Sequence, residues 1–349
     1  MAEEQSIAAP FHKGVNFTNW LEYRPADKIQ RDMFTKKDFE NAVSLGCDVI
    51  RIPIHFERMC FEEDGYRIPE KIVAIMDDIA AWSAELKLYV IFDFHNRTDA
   101  ASFTPLDVEK VLNPVWTQIA ERYKDASDYL VYELMNEPHG IEIEAWNAII
   151  YRLHGLIRSI DQKHYLIVGG ADWNSTAAMK TLPDFADERV IYNFHFYEPH
   201  TFTHQGAGWA NMQRVRGIPF PYDPEKMPAM PEDPTETERR CFEEYPKKGT
   251  IEAVEAFFDE YAVFSRERNA PVFCGEFGCS TICVGQEERV FWYKTVTELL
   301  DRKGIARTSW DYYGSFGIIQ EEPGPELPRF PENLNREICE AMGFTVPAI

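Results

Sequence analysis

The sequence predicts an α/β protein that folds as a (β/α)8 TIM barrel, and three observations support this. Eight short apolar segments alternate with segments of helical periodicity along the 349 residues. Polar side chains follow the apolar segments, as they do at the carboxyl edge of a parallel sheet. Residues 14–20, after the start of the first strand, form no glycine-rich phosphate loop, which disfavours a doubly wound sheet, the alternative fold.

The first half of the chain alternates regularly between strands and helices. Strands are predicted over residues 13–20, 47–56, 88–95, 129–137 and 165–170, and helices over 36–45, 69–87, 106–124 and 142–161. Thr35 and Asp38 are placed to form a capping box before the first helix, and Gly46 suits the position after its end. Pro69 suits the start of the second helix, because its missing N–H has no partner there.

The second half continues the alternation less tightly. Strands are predicted over residues 190–197, 272–276 and 305–310, and helices over 176–180, 251–268, 288–303 and 333–342. Residues 198–248 carry eight prolines and few periodic apolar positions, which indicates a long functional loop after strand 6. We expect residues 1–349 to form a single domain, because no linker or internal repeat interrupts the pattern.

The composition excludes several classes of partner. The formal net charge is −22, so a nucleic acid or an anionic membrane would meet no basic surface. The seven cysteines show no disulfide-framework spacing and no Cys-x-x-Cys pair, so we expect free thiols and no zinc site. The sequence leaves the oligomeric state open, with a monomer favoured.

Two predicted strands lead into carboxylates. Asn136 and Glu137 follow the apolar run 129–135, and Pro138 stops the ladder because it has no N–H to donate. Glu276 follows the apolar residues of the seventh strand in the same way. Two acids at one barrel edge suggest a catalytic pair, and acids that cap the following helices are the alternative.

The other predicted strand ends carry amides, imidazoles, aromatic rings and a single arginine. Aromatic faces cover the C–H surface of sugar rings, whereas amides and imidazoles bond to hydroxyls. This chemistry favours a polyhydroxylated ligand. The residues at these ends are Asn16, Arg51, His55, Asp93, His95, Asn96, Asn136, Trp173, Asn193, His195, Tyr197 and Trp310.

With these residues, the chain resembles glycoside hydrolase family 5 from about Gly14 to Phe344. Eight residues characteristic of that family have counterparts in chain order, each at a predicted strand end. The motifs that carry them are Ile50-Arg51-Ile52-Pro53, Asp93-Phe94-His95-Asn96, Met135-Asn136-Glu137-Pro138, His195-Phe196-Tyr197, Gly275-Glu276-Phe277-Gly278 and Ser309-Trp310.

The resemblance implies a retaining β-glycosidase without a cofactor or metal. It assigns Glu137 as the acid/base and Glu276 as the nucleophile, and such a pair needs carboxyl groups about 5–5.5 Å apart. Arg51 and Tyr197 are expected to stabilise and orient Glu276, and His195 is expected beside Glu137.

The remaining residues of the resemblance are expected to bind the substrate. Asn136 would bond the sugar 2-hydroxyl, His95 would contact hydroxyls of the same ring, and Trp310 would form the floor of that subsite. Asn96 and Trp173 are further candidates for substrate binding.

The segment 197–209 resembles bacterial endoglucanase branches of the family, chiefly in the run Thr203-His204-Gln205-Gly206-Ala207. Trp209 could stack on a sugar beyond the cleavage point or pack the loop against the barrel. The implied activity is endo-β-1,4-glucanase, that is, a cellulase acting on β-glucan polysaccharide or oligosaccharide. A β-mannanase, a xyloglucanase or a mixed-linkage glucanase with the same mechanism is the alternative.

Two hypotheses from other functional classes stay open. One is a metal-dependent barrel hydrolase that uses His55, Asp93, His95 and His195, and the other is a non-catalytic carbohydrate-binding protein. The family favours a secreted or periplasmic protein whose signal has been removed, and the acidic N-terminus without an apolar segment leaves a cytoplasmic protein open.

Overall fold

The computed structural model describes residues 5–95, 105–319 and 329–348. Within these residues, eight parallel strands close into a barrel in chain order, because β1 pairs with both β2 and β8. The predicted (β/α)8 fold class is therefore confirmed. The strands are β1 Lys13–Asn16, β2 Val49–Ile54, β3 Tyr89–Phe94, β4 Leu130–Glu133, β5 Tyr165–Gly169, β6 Val190–Phe196, β7 Val272–Phe277 and β8 Ala306–Ser309.

Helices cover the outside of the barrel and bury their apolar faces against it. The helix Glu70–Leu86 shows the pattern, because Ile72, Ile75, Met76 and Ile79 are all buried at helical spacing. The principal helices are Lys36–Ser44, Glu70–Leu86, Pro105–Tyr123, Ile143–Arg158, Thr176–Thr181, Glu236–Lys248, Ile251–Arg268, Gln286–Lys303 and Arg336–Ala341. No helix among the described residues is both long and apolar enough to span a bilayer.

The interior of the barrel is layered, with an apolar layer near its amino end. Phe11 packs against this layer, to which seven strands each contribute one buried residue. These residues are Val49, Ile91, Val131, Ile167, Ile191, Phe273 and Ala306. Since side chains on a strand alternate, the residue two positions further along points inward again. Those positions hold Arg51, Asp93, Glu133, Gly169, Asn193, Gly275 and Thr308. A polar layer thus lies directly above the apolar one, at the carboxyl side of the barrel.

Two predicted elements need correction. Strand β4 ends at Glu133, not at Glu137, so the acid lies four residues beyond the strand. Its backbone is still held to the barrel, because the Leu134 N–H bonds the Ile167 carbonyl and the Asn136 N–H bonds the Phe94 carbonyl. Glu137 is therefore fixed by neighbouring strands, although it belongs to a loop.

The predicted loop 198–248 is not a continuous loop. It contains a short helical turn, His200–Thr203, and the helix Glu236–Lys248. That helix begins with a capping box in which the Thr235 hydroxyl accepts from Glu238 N–H and the Glu238 carboxylate accepts from Thr235 N–H. The Thr-x-x-Glu capping signal is present in the sequence, but the many prolines nearby favoured the prediction of a loop.

Candidate active site

A cleft of about 720 Å³ opens at the carboxyl edge of the barrel. It is the position expected for an active site in this fold. Nine of the eleven predicted site residues line it: His95, Asn136, Glu137, Trp173, His195, Tyr197, Trp209, Glu276 and Trp310. Of the other two, Arg51 lies buried beneath the cleft and Asn96 lies outside the described residues.

Arg51 is the centre of the buried layer below the cleft. Its Nε and Nη2 atoms donate to the two carboxylate oxygens of Glu133, at 2.6 and 2.9 Å. Its Nη1 donates to Glu276 Oε1 at 2.8 Å, and its Nη2 also donates to Asn136 Oδ1 at 2.9 Å. Asp93 Oδ2 lies 3.0 Å from Nη2. Arg51 Nη1 also donates to Asn16 Oδ1, so one guanidinium group contacts three carboxylates and two amides.

A single positive charge cannot compensate three buried carboxylates, so part of this cluster stays protonated. Burial raises the pKa of Asp93 to about 8, against the attraction of Arg51. Burial also raises the pKa of Glu133, and the neighbouring guanidinium opposes that rise. The third carboxylate, Glu276, shares the Arg51 guanidinium group and also accepts a hydrogen bond from Tyr197.

Both oxygens of Glu276 are engaged by donors. The Tyr197 hydroxyl donates to Oε2 at 2.8 Å, and Arg51 Nη1 donates to Oε1. Burial raises the pKa of Tyr197 well above its usual value, so the phenol keeps the proton that it donates. The predicted contacts of Arg51 and Tyr197 with Glu276 are present in the structure.

His195 lies between the two acids. Its Nδ1 atom is 2.6 Å from Glu137 Oε1 and 3.6 Å from Glu276 Oε2. One ligating atom from each of the three residues lies within 4.8 Å of the other two. Burial lowers the pKa of His195 to about 4, so the ring is neutral at neutral pH.

The hydrogen bonds of His195 define its tautomer. Asn193 Nδ2, which can only donate, lies 3.3 Å from His195 Nε2. Nε2 is therefore the acceptor, and Nδ1 carries the proton and directs it toward Glu137.

Glu137 sits in an unusual backbone conformation, with φ of +34°. A non-glycine residue in this region is strained, and such strain is concentrated at functional sites. The Glu137 carbonyl accepts a hydrogen bond from His139 Nδ1 at 2.7 Å, which supports the turn. Burial raises the pKa of the Glu137 carboxyl above its usual value. The two acids thus meet different surroundings, as an acid and a nucleophile require.

His95 and Trp310 form one wall of the cleft. Their rings stack at 5.6 Å between centroids, with an interplanar angle of 14°. His95 Nδ1 also lies 2.6 Å from Asp93 Oδ2, which fixes the plane of the imidazole. Burial lowers the pKa of His95 to about 4, so this ring too is neutral at neutral pH.

Two exposed tryptophans also line the cleft. Trp173 is 55% exposed and Trp209 is 61% exposed, although both are large apolar side chains. Trp173 stacks on His139 at 4.5 Å with an angle of 8°. His139 was not singled out in the sequence, because it follows the acid motif without any periodic signal.

The residues of the metal-dependent alternative do not converge. Among the described residues, the one group of three or more potential ligands close enough to share an ion is Glu137, His195 and Glu276. His55, Asp93, His95 and His195 form no such group there. Asp93 is directed instead at Arg51 and His95.

The barrel and this site define a glycoside hydrolase. Over residues 13–315 the chain matches the family described as Cellulase (glycosyl hydrolase family 5), and it belongs to that family. The family assignment made from the eight motif residues is thereby confirmed.

Characterised relatives cover most of the chain at moderate identity. Endoglucanase 3 of Fibrobacter succinogenes is 27% identical over 332 residues, which are 88% of this chain and 50% of that protein. Endoglucanase C of Acetivibrio thermocellus is 26% identical over 335 residues, which are 90% of this chain and 95% of that protein. The chain thus spans half of the first relative and nearly all of the second.

Solved structures share the fold. Endoglucanase Cel5A of Thermotoga maritima superposes with a TM-score of 0.77 at 23% identity, covering 95% of this chain and 96% of that one. The cellulose synthase subunit Z of Clostridioides difficile gives a TM-score of 0.77 at 24% identity, covering 95% and 99%.

Proposed function

We propose that this protein is a retaining endo-β-1,4-glucanase that hydrolyses β-linked glucan by double displacement, with residues 1–349 acting as one catalytic domain. Glu137 is the acid/base and Glu276 is the nucleophile. The observation that carries the proposal is the spacing of these two acids, whose nearest oxygens lie within 4.8 Å with His195 Nδ1 between them.

This spacing suits a retaining rather than an inverting reaction. Inverting enzymes separate their carboxyl groups by about 6.5–9.5 Å to admit a water between the general base and the sugar, whereas retaining enzymes hold them about 5–5.5 Å apart. With Glu137 and Glu276 this close, the carboxylate itself attacks the sugar, and water enters only in the second step.

The first step forms a covalent glycosyl-enzyme. A Glu276 oxygen attacks the anomeric carbon, the glycosidic C–O bond breaks, and Glu137 transfers its proton to the departing oxygen. The raised pKa of Glu137 keeps that proton available, and the donors Arg51 and Tyr197 hold the Glu276 oxygens in position for the attack.

The second step releases the sugar. Glu137, now a carboxylate, removes a proton from a water molecule as that water attacks the anomeric carbon. The bond to Glu276 breaks, and its carboxylate returns to Arg51 and Tyr197. His195, neutral with its proton on Nδ1, donates to Glu137 and stabilises the carboxylate form between the two steps.

Substrate contacts follow from the groups that the cleft offers. Asn136 uses its amide oxygen to accept from Arg51, which leaves its amide nitrogen to donate to a sugar hydroxyl. The stacked pair of His95 and Trp310 supplies an aromatic face for the ring that is cleaved. Trp209 and Trp173, exposed at the cleft, supply platforms for sugars further along the chain.

The preference for glucan rests on the relatives, which are named endoglucanases. A second candidate substrate is β-mannan, because structures of Thermotoga maritima Cel5A are described in complex with cellobiose and with mannotriose. Glucose and mannose differ at the 2-hydroxyl, the group to which we expect Asn136 to bond.

Reducing-sugar release by the purified protein tests the proposal. The substrates are carboxymethylcellulose, mixed-linkage β-glucan, xyloglucan, galactomannan and xylan, and the inactive control is Glu276→Ala. Glu298→Ala is the matched control, because this glutamate is 67% exposed on the outer helix Gln286–Lys303.

Glucan cleavage that is lost in Glu276→Ala and kept in Glu298→Ala supports the proposal. Cleavage of galactomannan alone would keep the mechanism and change the substrate. Full activity of Glu276→Ala would overturn the nucleophile assignment, and α-anomeric first product from a β-linked substrate would overturn retention.

A further inference from the structure

Strand β7 contains one extra residue immediately before Glu276. On the β6 side, Phe194 pairs with Cys274 and His195 pairs with Glu276, so Gly275 has no partner. On the β8 side, Cys274 pairs with Arg307 and Phe277 pairs with Ser309, so one residue of β8 lies opposite two residues of β7. This is a β-bulge, and bulges next to active sites redirect a side chain. The aim of Glu276 therefore depends on how the Gly275 peptide is held.

Side chains hold that residue from both directions. Asn193 Oδ1 accepts from the Gly275 N–H at 3.0 Å. The Gly275 carbonyl accepts from Asn16 Nδ2 at 3.0 Å and from Thr308 Oγ1 at 2.6 Å. Asn16, Asn193 and Thr308 are all fully buried. These contacts replace the ladder hydrogen bonds that the bulge removes.

Both asparagines also contact the buried charge cluster. Asn16 Oδ1 accepts from Arg51 Nη1 at 3.0 Å, the same atom that donates to Glu276. Asn193 Nδ2 donates to Glu133 Oε1 at 2.8 Å and to His195 Nε2 at 3.3 Å. The Asn193 amide thus uses its oxygen and both of its N–H groups.

The fit around Gly275 is tight. A Cβ atom at this position would lie 2.6 Å from Asn193 Oδ1 and 2.9 Å from Asn193 Nδ2. Asn193 cannot withdraw without breaking its contacts to Glu133 and His195. The glycine is required here for close approach, since only a residue without a side chain leaves room for the amide.

We propose that Asn193 and Asn16 are positioning residues for the reaction: together they fix the Gly275 peptide, and so direct the Glu276 carboxylate between Arg51 and Tyr197. Asn193 also sets the His195 tautomer that presents Nδ1–H to Glu137. Neither asparagine lines the cleft, so neither is a catalytic residue. The inference rests on the proposed role of Glu276 as nucleophile.

The expected effect lies in the chemical step and not in binding. A reacting atom that is displaced by about 1 Å can cost about 10²-fold in rate, even when the change is remote from the substrate. Without the Asn193 amide, the bulge can relax and the Glu276 oxygen can leave the line of attack. Substrate contacts from His95, Trp310 and Asn136 stay in place.

The test uses 2,4-dinitrophenyl 2-deoxy-2-fluoro-β-cellobioside as an inactivator. A Glu276 oxygen bonds to the anomeric carbon and dinitrophenolate leaves with the bonding electrons, one per protein molecule. The fluorine slows the second step, so the labelled protein accumulates. The release of dinitrophenolate gives the rate constant of inactivation and the inactivator's KI, and peptide mass spectrometry locates the label.

Asn193→Leu keeps the number and branching of the side-chain heavy atoms and removes every side-chain hydrogen bond. We expect its rate constant of inactivation to fall by about 10- to 10²-fold, with KI unchanged. The rate constant of inactivation of Asn16→Leu should fall by a similar factor. Ser83→Ala is the matched control, because it deletes a buried hydroxyl that donates to the Leu88 carbonyl at 2.9 Å at the opposite end of the barrel. The control should lose stability and keep the wild-type rate constant.

Asn193→Asp covers the case in which Asn193→Leu fails to fold. When protonated, the introduced carboxyl still accepts from Gly275 N–H and donates to Glu133, whereas the ionised form repels Glu133 and Glu276. The ratio of the variant's inactivation rate constant to that of wild type should therefore fall as pH rises. The charged and titratable groups around this position are Arg51, Glu133, His195 and Glu276.

The outcomes separate the inference from the proposed function. Wild-type protein that is not labelled at Glu276 would overturn the nucleophile assignment, and the inference with it. Wild-type protein labelled at Glu276, with folded Asn193→Leu labelled at the same rate, would overturn the inference alone. A pH-independent ratio for Asn193→Asp would also overturn it.

Discussion

Tyr197 donates its phenolic O–H to Glu276 Oε2 across 2.8 Å, while Arg51 Nη1 donates to Oε1 across the same distance. Two donors on the two oxygens fix the plane of the carboxylate. The carboxylate is therefore oriented before a substrate binds.

Tyr197→Phe removes one of these donors and keeps the ring. A hydrogen bond to a charged group contributes about 1.5–3 kcal/mol, so kcat/KM should fall by about 10- to 10²-fold. Steady-state kinetics on an aryl β-cellobioside measure this. Tyr151→Phe is the control, because Tyr151 is 55% exposed on an outer helix and its loss should leave kcat/KM unchanged. Wild-type kcat/KM in Tyr197→Phe would contradict the assigned contact.

Glu137→Ala should slow cleavage most for poor leaving groups. An unactivated sugar alcohol needs a proton as it departs, whereas a dinitrophenolate does not. We expect a loss of about 10²- to 10⁴-fold on cello-oligosaccharides, the range contributed by general acid catalysis, and a much smaller loss of the first step on the activated glycoside. Pre-steady-state release of the phenolate separates the two steps. Equal losses on both substrates would remove Glu137 as the acid.

Asp93 should make the protein less stable as pH rises. Burial raises its folded pKa from 3.8 to about 8, so between these values folded Asp93 is protonated while unfolded Asp93 is ionised. The folded state then binds one more proton than the unfolded state. The contribution of Asp93 to the free energy of unfolding is therefore full below the unfolded pKa of 3.8 and is lost as the pH rises to the folded pKa of about 8. Asp93→Asn abolishes this titration, so the free energy of unfolding should decline less steeply over that interval.

Urea unfolding at a series of pH values measures the slope. Asp128→Asn is a control of opposite kind, because the hydrogen bond from Lys163 lowers the pKa of Asp128 and the group is ionised in both states across the interval. An unchanged slope in Asp93→Asn would show that Asp93 is ionised in the folded protein.

The sequence predicted those parts of the site that follow from the alternation of side chains along a strand and from the position of the strand end. Residues at strand ends converge in a closed barrel, so the sequence alone places His95 and Trp310 on one edge, whereas Arg51 lies inside β2 and is buried beneath that edge. Glu133 lies four residues before Glu137, so strand alternation places it on the same side but deeper in the barrel, where it is buried and accepts two hydrogen bonds from Arg51.

What the sequence could not predict depends on register. The extra residue in β7 leaves no local signal except a glycine, and its meaning comes from Asn193 on a strand far away in the chain. Likewise, nothing in a lone His139 shows that its ring stacks on Trp173. The strained φ of Glu137 arises because tertiary contacts hold the loop that contains it. The periodicity of a strand does not predict such contacts.

Two glycine substitutions distinguish crowding at the bulge from a general effect of added side chains. Gly275→Ala places a Cβ 2.6 Å from Asn193 Oδ1, closer than packed atoms approach, inside a fully buried layer. Overpacking of this kind costs about 1–3 kcal/mol. We expect lower stability and lost activity together, because Asn193 must leave the Gly275 N–H, Glu133 or His195 to make room.

Gly155→Ala is the matched control. Gly155 lies on the exposed side of the helix Ile143–Arg158, and a Cβ there would meet nothing within 4 Å. Since glycine in a helix interior is less stable than alanine by about 0.5–1 kcal/mol, this variant should unfold at a higher temperature and keep its activity. In thermal unfolding, the midpoint temperature should fall for Gly275→Ala and rise for Gly155→Ala. Glucan hydrolysis should be lost in Gly275→Ala alone. If Gly275→Ala were as stable and as active as Gly155→Ala, the Asn193 amide could move freely, and it would not hold the strand that carries Glu276.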